Sequence, residues 1–155
     1  MFYSKILLFG EYGIIKDSKG LSIPYNFYNG ALKTTDTNTV LAKDSNAKLF
    51  KFYNYLKTLN SPIINFNLDN FHNDLHLGMH FDSSIPEGYG VGSSGALVAA
   101  IYDYYANDKI TVLENLTRKK LLKLKDIFAK MESFFHGKSS GLDPLNSYLS
   151  IPILI

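Results

Sequence analysis

The chain has 155 residues, 46% of them hydrophobic, with 16 basic against 14 acidic side chains and a formal net charge of +2. That is enough chain for one domain with a real core, and too mild a charge to argue for a nucleic-acid partner. Without any cysteine neither a disulfide nor a thiolate metal site is available; no apolar run spans a bilayer, and the opening Met1 to Gly13 lacks the basic region and long apolar core of a signal peptide. A cytoplasmic location is the default expectation.

Phe2 to Phe9 reads as a strand, and its continuous run Ile6, Leu7, Leu8, Phe9 predicts burial on both faces. Gly10 breaks it. A second β-prone piece follows at Gly13 to Ile15, then a turn at Asp17 to Gly20, then two short strands at Leu21 to Tyr25 and Asn29 to Lys33. Thr34 to Lys48 is polar and reads as loop. Leu49, Phe52, Tyr53, Leu56 and Leu59 fall at helical spacing, so a core-facing helix is predicted over 49–59, and Ser61-Pro62 stops it. Ile63 to Leu68 alternates as a strand. His72, His76 and His80 fall four apart, which on a helix would gather them on one face for a metal. Leu75, Leu77, Met79 and Phe81 alternate with them, however, and that period predicts a strand with the histidines on its outer face.

Ser84 to Tyr105 is the stretch around which the rest is organised. Gly88, Gly90, Gly92 and Gly95 surround Ser93 and Ser94, and an apolar run starting at Ala96 continues directly from them. Such a loop turns backbone amides toward one point, and the following helix adds its unpaired N-terminal N–H groups and the positive end of its dipole. The product is an anion cradle, most often for phosphate. A glycine-rich turn capped by Ser93 or Ser94 needs no ligand and stands beside that reading. No Gly-Lys-Ser/Thr follows, so this is not a Walker A loop, and it does not follow a first strand as the dinucleotide fingerprint does. The helix is predicted from about Ser94 to Asn107, burying Ala96, Leu97, Ala100, Ile101 and Tyr104. A loop at Asn107 to Lys109 and an apolar patch at Ile110 to Leu113 come next. Thr117 to Phe135 is the clearest amphipathic helix, with Leu121, Leu124, Phe128, Met131 and Phe135 stepping by three and four, a solvated basic segment from Arg118 to Lys125, and Gly137 placed to end it. Ser147 to Ile155 is an apolar, β-prone run.

The glycine stretch resembles the phosphate-binding motif of the GHMP kinases, Pro-x-x-x-Gly-Leu-Gly-Ser-Ser-Ala, through Pro86, Gly90, Gly92, Ser93 and Ser94, with Val91 for leucine and Gly95 for alanine. Lys5 to Ile15 is similar to the first motif of that family, Lys-x-x-Leu-x-Gly-Glu-His-x-Val, with Tyr12 in place of histidine. On residue physics alone Lys5 and Glu11 are solvated charges flanking a hairpin. Glu132 to Asp143 resembles the mevalonate kinase pattern Glu-x-x-x-His-Gly-x-Pro-Ser-Gly-x-Asp, with Ser139 where proline is usual.

The resemblance implies an α+β domain of the ribosomal protein S5 domain 2-like type and an ATP- and Mg²⁺-dependent kinase. It implies that Asp143 orients or accepts the substrate hydroxyl proton while Lys5 holds that carboxylate ionised and neutralises charge on the transferring group. Glu132 and the Ser94 hydroxyl are implied Mg²⁺ ligands, Gly88, Tyr89, Gly90, Val91, Gly92, Ser93 and Ser94 the phosphate cradle, Ser83 a nucleotide contact, and Glu11 and Tyr12 substrate contacts. The expected reaction is γ-phosphoryl transfer to a hydroxyl of mevalonate, an isoprenoid precursor. Alternatives are phosphomevalonate kinase or another GHMP member, and a non-catalytic S5-like binding module. The implied partner is a small anionic metabolite, without nucleic acid or membrane, and a homodimer is a candidate assembly. Because GHMP kinases carry a second, C-terminal domain, the expectation is an amino-terminal half that is inactive by itself and associates through its uncovered apolar surface.

Overall fold

A computed structural model describes residues 1–9, 20–59, 63–112 and 115–154. The expected substrate contacts Glu11 and Tyr12, and the β-prone piece at Gly13 to Ile15, lie outside the described residues. Among the described residues, four strands and five helices alternate irregularly, and the strands form one antiparallel sheet: β1 (Phe2–Phe9), β2 (Leu21–Lys33), β3 (His80–Ser83) and β4 (Ile153–Leu154). The order is β1-β2-β3, and β4 pairs with the start of β2. With helices segregated from an antiparallel sheet, the class is α+β, as expected.

The two short strands predicted between Leu21 and Lys33 are one strand with an interruption. Tyr3 pairs with Asn29 but Ser4 pairs with Tyr25, so Asn26, Phe27 and Tyr28 leave the ladder, and Phe27 is exposed. The Ser4 hydroxyl donates to the Tyr25 carbonyl at 2.7 Å and fastens the strands where the register shifts. Burial on both faces of β1 is not observed. Phe2, Ser4 and Lys5 are buried, whereas Leu8 and Phe9 are more than half exposed, because packed helices cover only the strand's first part.

The helices are α1 (Val40–Thr58), α2 (Leu68–His76), α3 (Ser93–Tyr105), α4 (Arg118–His136) and α5 (Leu142–Leu149). α1 begins well before the predicted position, inside the polar stretch expected to be loop. The Thr39 hydroxyl caps it by accepting from the Ala42 amide, and its early turns bury only Ala42 before Leu49, Phe52 and Leu56 reach the core. α2 replaces the strand expected at the histidines. Phe71 and Leu75 point inward from it, and Asn67 caps its start. Only Phe66 forms a bridge, with Ala106, in the segment read as a strand over 63–68. His80 is not on an outer face: it is buried at the start of β3.

α3 and α4 match their predicted positions within two residues. Tyr104 is exposed, while Tyr102 and Tyr105 are buried. α3 is surrounded on nearly all sides, so its apolar stripe is too broad to choose a face by spacing alone. Thr117 caps α4 by accepting from the Lys120 amide, and Gly137 closes it with φ 69°. The run expected to be β-prone from Ser147 divides into the end of α5, a left-handed Ser150 with φ 53°, and β4. The core lies between sheet and helices, with Phe52, Phe71, Phe128, Leu49, Leu124 and Met131 fully buried.

Candidate active site

The glycine loop between β3 and α3 bends through positive φ at residues 88, 90 and 92. The last of these is the N-cap of α3, at φ 86° and ψ 34°. Glycine is needed at 92 on two counts: the left-handed backbone, and a side chain there would come within 2.9 Å of Lys5 Cγ. No side chain caps α3, so its first-turn amides point outward without a side-chain acceptor, which is the condition for anion binding at a helix start. The loop is open, with Tyr89 80% exposed.

β1 and α5 bring an ion pair to this loop. The Lys5 amide donates to the Val91 carbonyl at 2.9 Å, tying the strand to the loop, and Lys5 Nζ stands 3.0 Å from Asp143 Oδ1. The ammonium is nearly buried, at 9% exposure, while the carboxylate keeps 38% and remains accessible. Asp143 lies in the first turn of α5, whose N-cap, Gly141, is also left-handed and without a side-chain cap. α3 and α5 meet at their N-termini: a Cβ at Gly95 would lie 2.8 Å from the Asp143 carbonyl carbon and 2.9 Å from the Pro144 nitrogen. The positive ends of two helices therefore lie close together beside a lysine.

The third component comes from the last two turns of α4. Ser94 Oγ donates to Glu132 Oε1 at 2.9 Å and lies 2.9 Å from His136 Nε2. A hydroxyl has one proton, so once it goes to Glu132 the serine oxygen accepts from His136, which requires the imidazole to carry a proton on Nε2. Ser139 Oγ donates to Glu132 Oε2 at 2.5 Å and accepts from the Gly141 amide at 3.0 Å. Glu132 is 3% exposed. Burial pushes its carboxyl above the ordinary 4.5 and the Asp143 charge adds to this, against the opposing hydrogen bonds from Ser139 and Ser94 and the charge of His136.

Lys5, Gly92, Ser94, Glu132 and Asp143 thus come together as one group. His136 and Ser139 join it, although sequence reasoning gave neither a role; the only signal was their place in the third motif. Ser83 does not join. It ends β3, and its hydroxyl accepts from the Ile85 amide at 3.1 Å. Two cavities among the described residues are lined by other residues, near Ile63 to Phe66 with Tyr102 and near Phe2 with Tyr148.

Residues 52–150 match the GHMP kinases N terminal domain. No curated protein and no solved structure matches the chain. The matched span takes in the glycine loop, Glu132 and Asp143 and is well over half of the sequence, and the chain belongs to the GHMP kinase family, nucleotide-using enzymes that phosphorylate small molecules.

Proposed function

We propose that the chain is the catalytic amino-terminal domain, of the ribosomal protein S5 domain 2-like type, of a mevalonate kinase-like enzyme that transfers the γ-phosphoryl group of ATP to an alcohol. The observation that carries this reading is the Lys5–Asp143 pair, with its carboxylate accessible, at the start of two uncapped helices. Phosphoryl transfer makes little covalent demand on a protein; positioning and charge stabilisation do most of the work. The α3 amides and glycine loop hold nucleotide phosphates. Lys5 neutralises charge on the transferring group and pairs with Asp143, and Asp143 accepts or orients the proton of the attacking hydroxyl.

Ser94 and Glu132 are an all-oxygen pair converging within 2.9 Å, which fits a hard cation that keeps most of its water and takes only one or two protein ligands. Ser94 and Glu132 would hold Mg²⁺, which would supply positive charge against the nucleotide phosphates. For that, Ser94 gives up its hydrogen bond to Glu132 and turns a lone pair outward. Tyr12 and Glu11 are the proposed acceptor contacts and Ser83 a proposed nucleotide contact. A second, C-terminal domain is proposed to cover the apolar surface that includes Leu8, Phe9 and Leu154, all at least half exposed.

Incubating the protein, alone and within a form carrying that second domain, with ATP, Mg²⁺ and a panel of mevalonate, phosphomevalonate, homoserine and galactose tests this directly. Mass spectrometry should show phosphorylated mevalonate. Phosphorylation of another acceptor would move the assignment within the family, and no product from any would leave a binding module.

A further inference from the structure

The histidine spacing leaves a second feature, on α2, between α1 and the glycine loop in sequence and sharing no residue with the kinase group. His72 and His76 lie one turn apart on α2, and their Nε2 atoms are 3.2 Å from each other. Both rings are held from α1: Tyr53 packs on His72 at 5.2 Å between centroids, and Phe50 meets the edge of His76 at 5.3 Å. The two imidazoles stand nearly perpendicular, at 82°. His76 is exposed and His72 half-buried, so the pair opens to solvent.

We propose that His72 and His76 form a two-imidazole chelate for a divalent transition-metal ion of the zinc and copper class. Two nitrogens bound to a tetrahedral ion through bonds of 2.0–2.1 Å stand about 3.3 Å apart. The observed separation already meets that bite, so binding needs little movement of either ring. In the free pair one imidazole donates its Nε2 proton to the other. On binding, that donor passes to its Nδ1–H tautomer, both Nε2 lone pairs face the ion, and no proton is lost overall. Imidazole selects zinc, copper and nickel over Mg²⁺, whose preference is for oxygen. Among the described residues no third His, Cys, Asp or Glu completes a cluster, so water fills the remaining positions and the affinity is that of a two-ligand site. The ion links successive turns of the nine-residue α2, and its binding stabilises the folded chain by mass action.

Thermal unfolding and calorimetric titration with Zn²⁺ and Cu²⁺, without nucleotide, read this out. The expected result is one ion per chain at this pair, a Tm raised by Zn²⁺ in the wild type and not in the His72→Gln, His76→Gln double variant, and electron paramagnetic resonance of the Cu²⁺ form showing coupling to two imidazole nitrogens. His72→Gln and His76→Gln should each weaken binding on the order of tenfold or more, with an unchanged far-ultraviolet circular dichroism spectrum showing that the fold persists. His136→Gln should retain full affinity, which separates this site from the kinase group. Equal affinity in the His72→Gln, His76→Gln double variant, loss only in His136→Gln, or no Zn²⁺ effect on Tm would overturn the proposal.

Discussion

Two seryl hydroxyls, one of them backed by the His136 imidazole, hold the Glu132 carboxylate where burial works against its charge. A carboxyl whose folded value is raised binds its proton more tightly when folded. Stability is therefore unaffected below the ordinary 4.5 and falls as pH rises through the folded value. Glu132→Gln should accordingly gain Tm relative to wild type at pH 8 and show little difference at pH 4, measured without Mg²⁺; an equal gap at both would place the strain elsewhere. The same variant should need more Mg²⁺ for half-maximal activity. Ser139→Ala removes the donor to Oε2 and should shift Mg²⁺ dependence in the same direction, with a stability loss of about 1 kcal/mol. Asp143→Asn should cut turnover by orders of magnitude and leave nucleotide affinity within a few fold, because the role proposed for it belongs to the transition state; unchanged turnover would remove Asp143 from the mechanism. The motifs made Lys5, Ser94, Glu132 and Asp143 legible as candidates. They did not reveal that Ser139 supplies a hydroxyl to the buried carboxylate that proline has no means to supply. Nor did they show the His136 contact: the first depends on how the chain turns after Gly137, the second on how α4 lies against α3.

At the scale of the elements, α4 is announced clearly by a sharp cap and one apolar face. α4 has Thr117, a three-and-four apolar step and Gly137. Thr117→Ala should cost about 1 kcal/mol in chemical denaturation while leaving nucleotide affinity intact, since the cap is at the other end of α4 from Glu132. α1 was half hidden because its early turns bury little beyond Ala42 and so carry no period. α2 was misread because Leu75, Met79 and Phe81 belong to three successive structures: an inward helical position, a turn and a strand, with exposed Leu77 completing an accidental alternation. α5 escaped notice because Pro144 looks like a breaker; in a first helical turn, where amides have no intrahelical acceptor, proline removes nothing. Where α3 meets α5, the absence of a side chain at Gly95 sets the approach. Gly95→Ala puts a methyl 2.8 Å from the Asp143 carbonyl carbon, and should destabilise by about 1–3 kcal/mol and lower turnover together by displacing Asp143. A stable, fully active variant would show that the two helices separate freely.

Across the whole molecule, strands from the first and last described residues both pair with β2. β1 lies at one edge, β4 pairs with the first residues of β2, and Asn146 Nδ2 donates to the carbonyls of Ser22 and Ile151 at 3.2 and 3.0 Å, fastening α5 to β2 and to the chain that leads into β4. Leu8, Phe9, Ile151 and Leu154 remain exposed, and sedimentation of this chain should show concentration-dependent association that Leu8→Ser with Leu154→Ser reduces; a strictly monomeric wild type would mean that this surface is tolerated alone. The Lys5–Asp143 pair joins positions separated by almost the entire sequence. Contacts of that span are formed late, after the entropy of closing the intervening chain has been met. During synthesis β1 must wait for α5 to leave the ribosome before its lysine finds a counter-charge, while α3 and α4 have the local signals to form earlier. Nucleotide capture is then a clock for the final event of folding: in stopped-flow refolding, helical circular dichroism should recover first, and fluorescence of a bound nucleotide analogue only in the slowest phase.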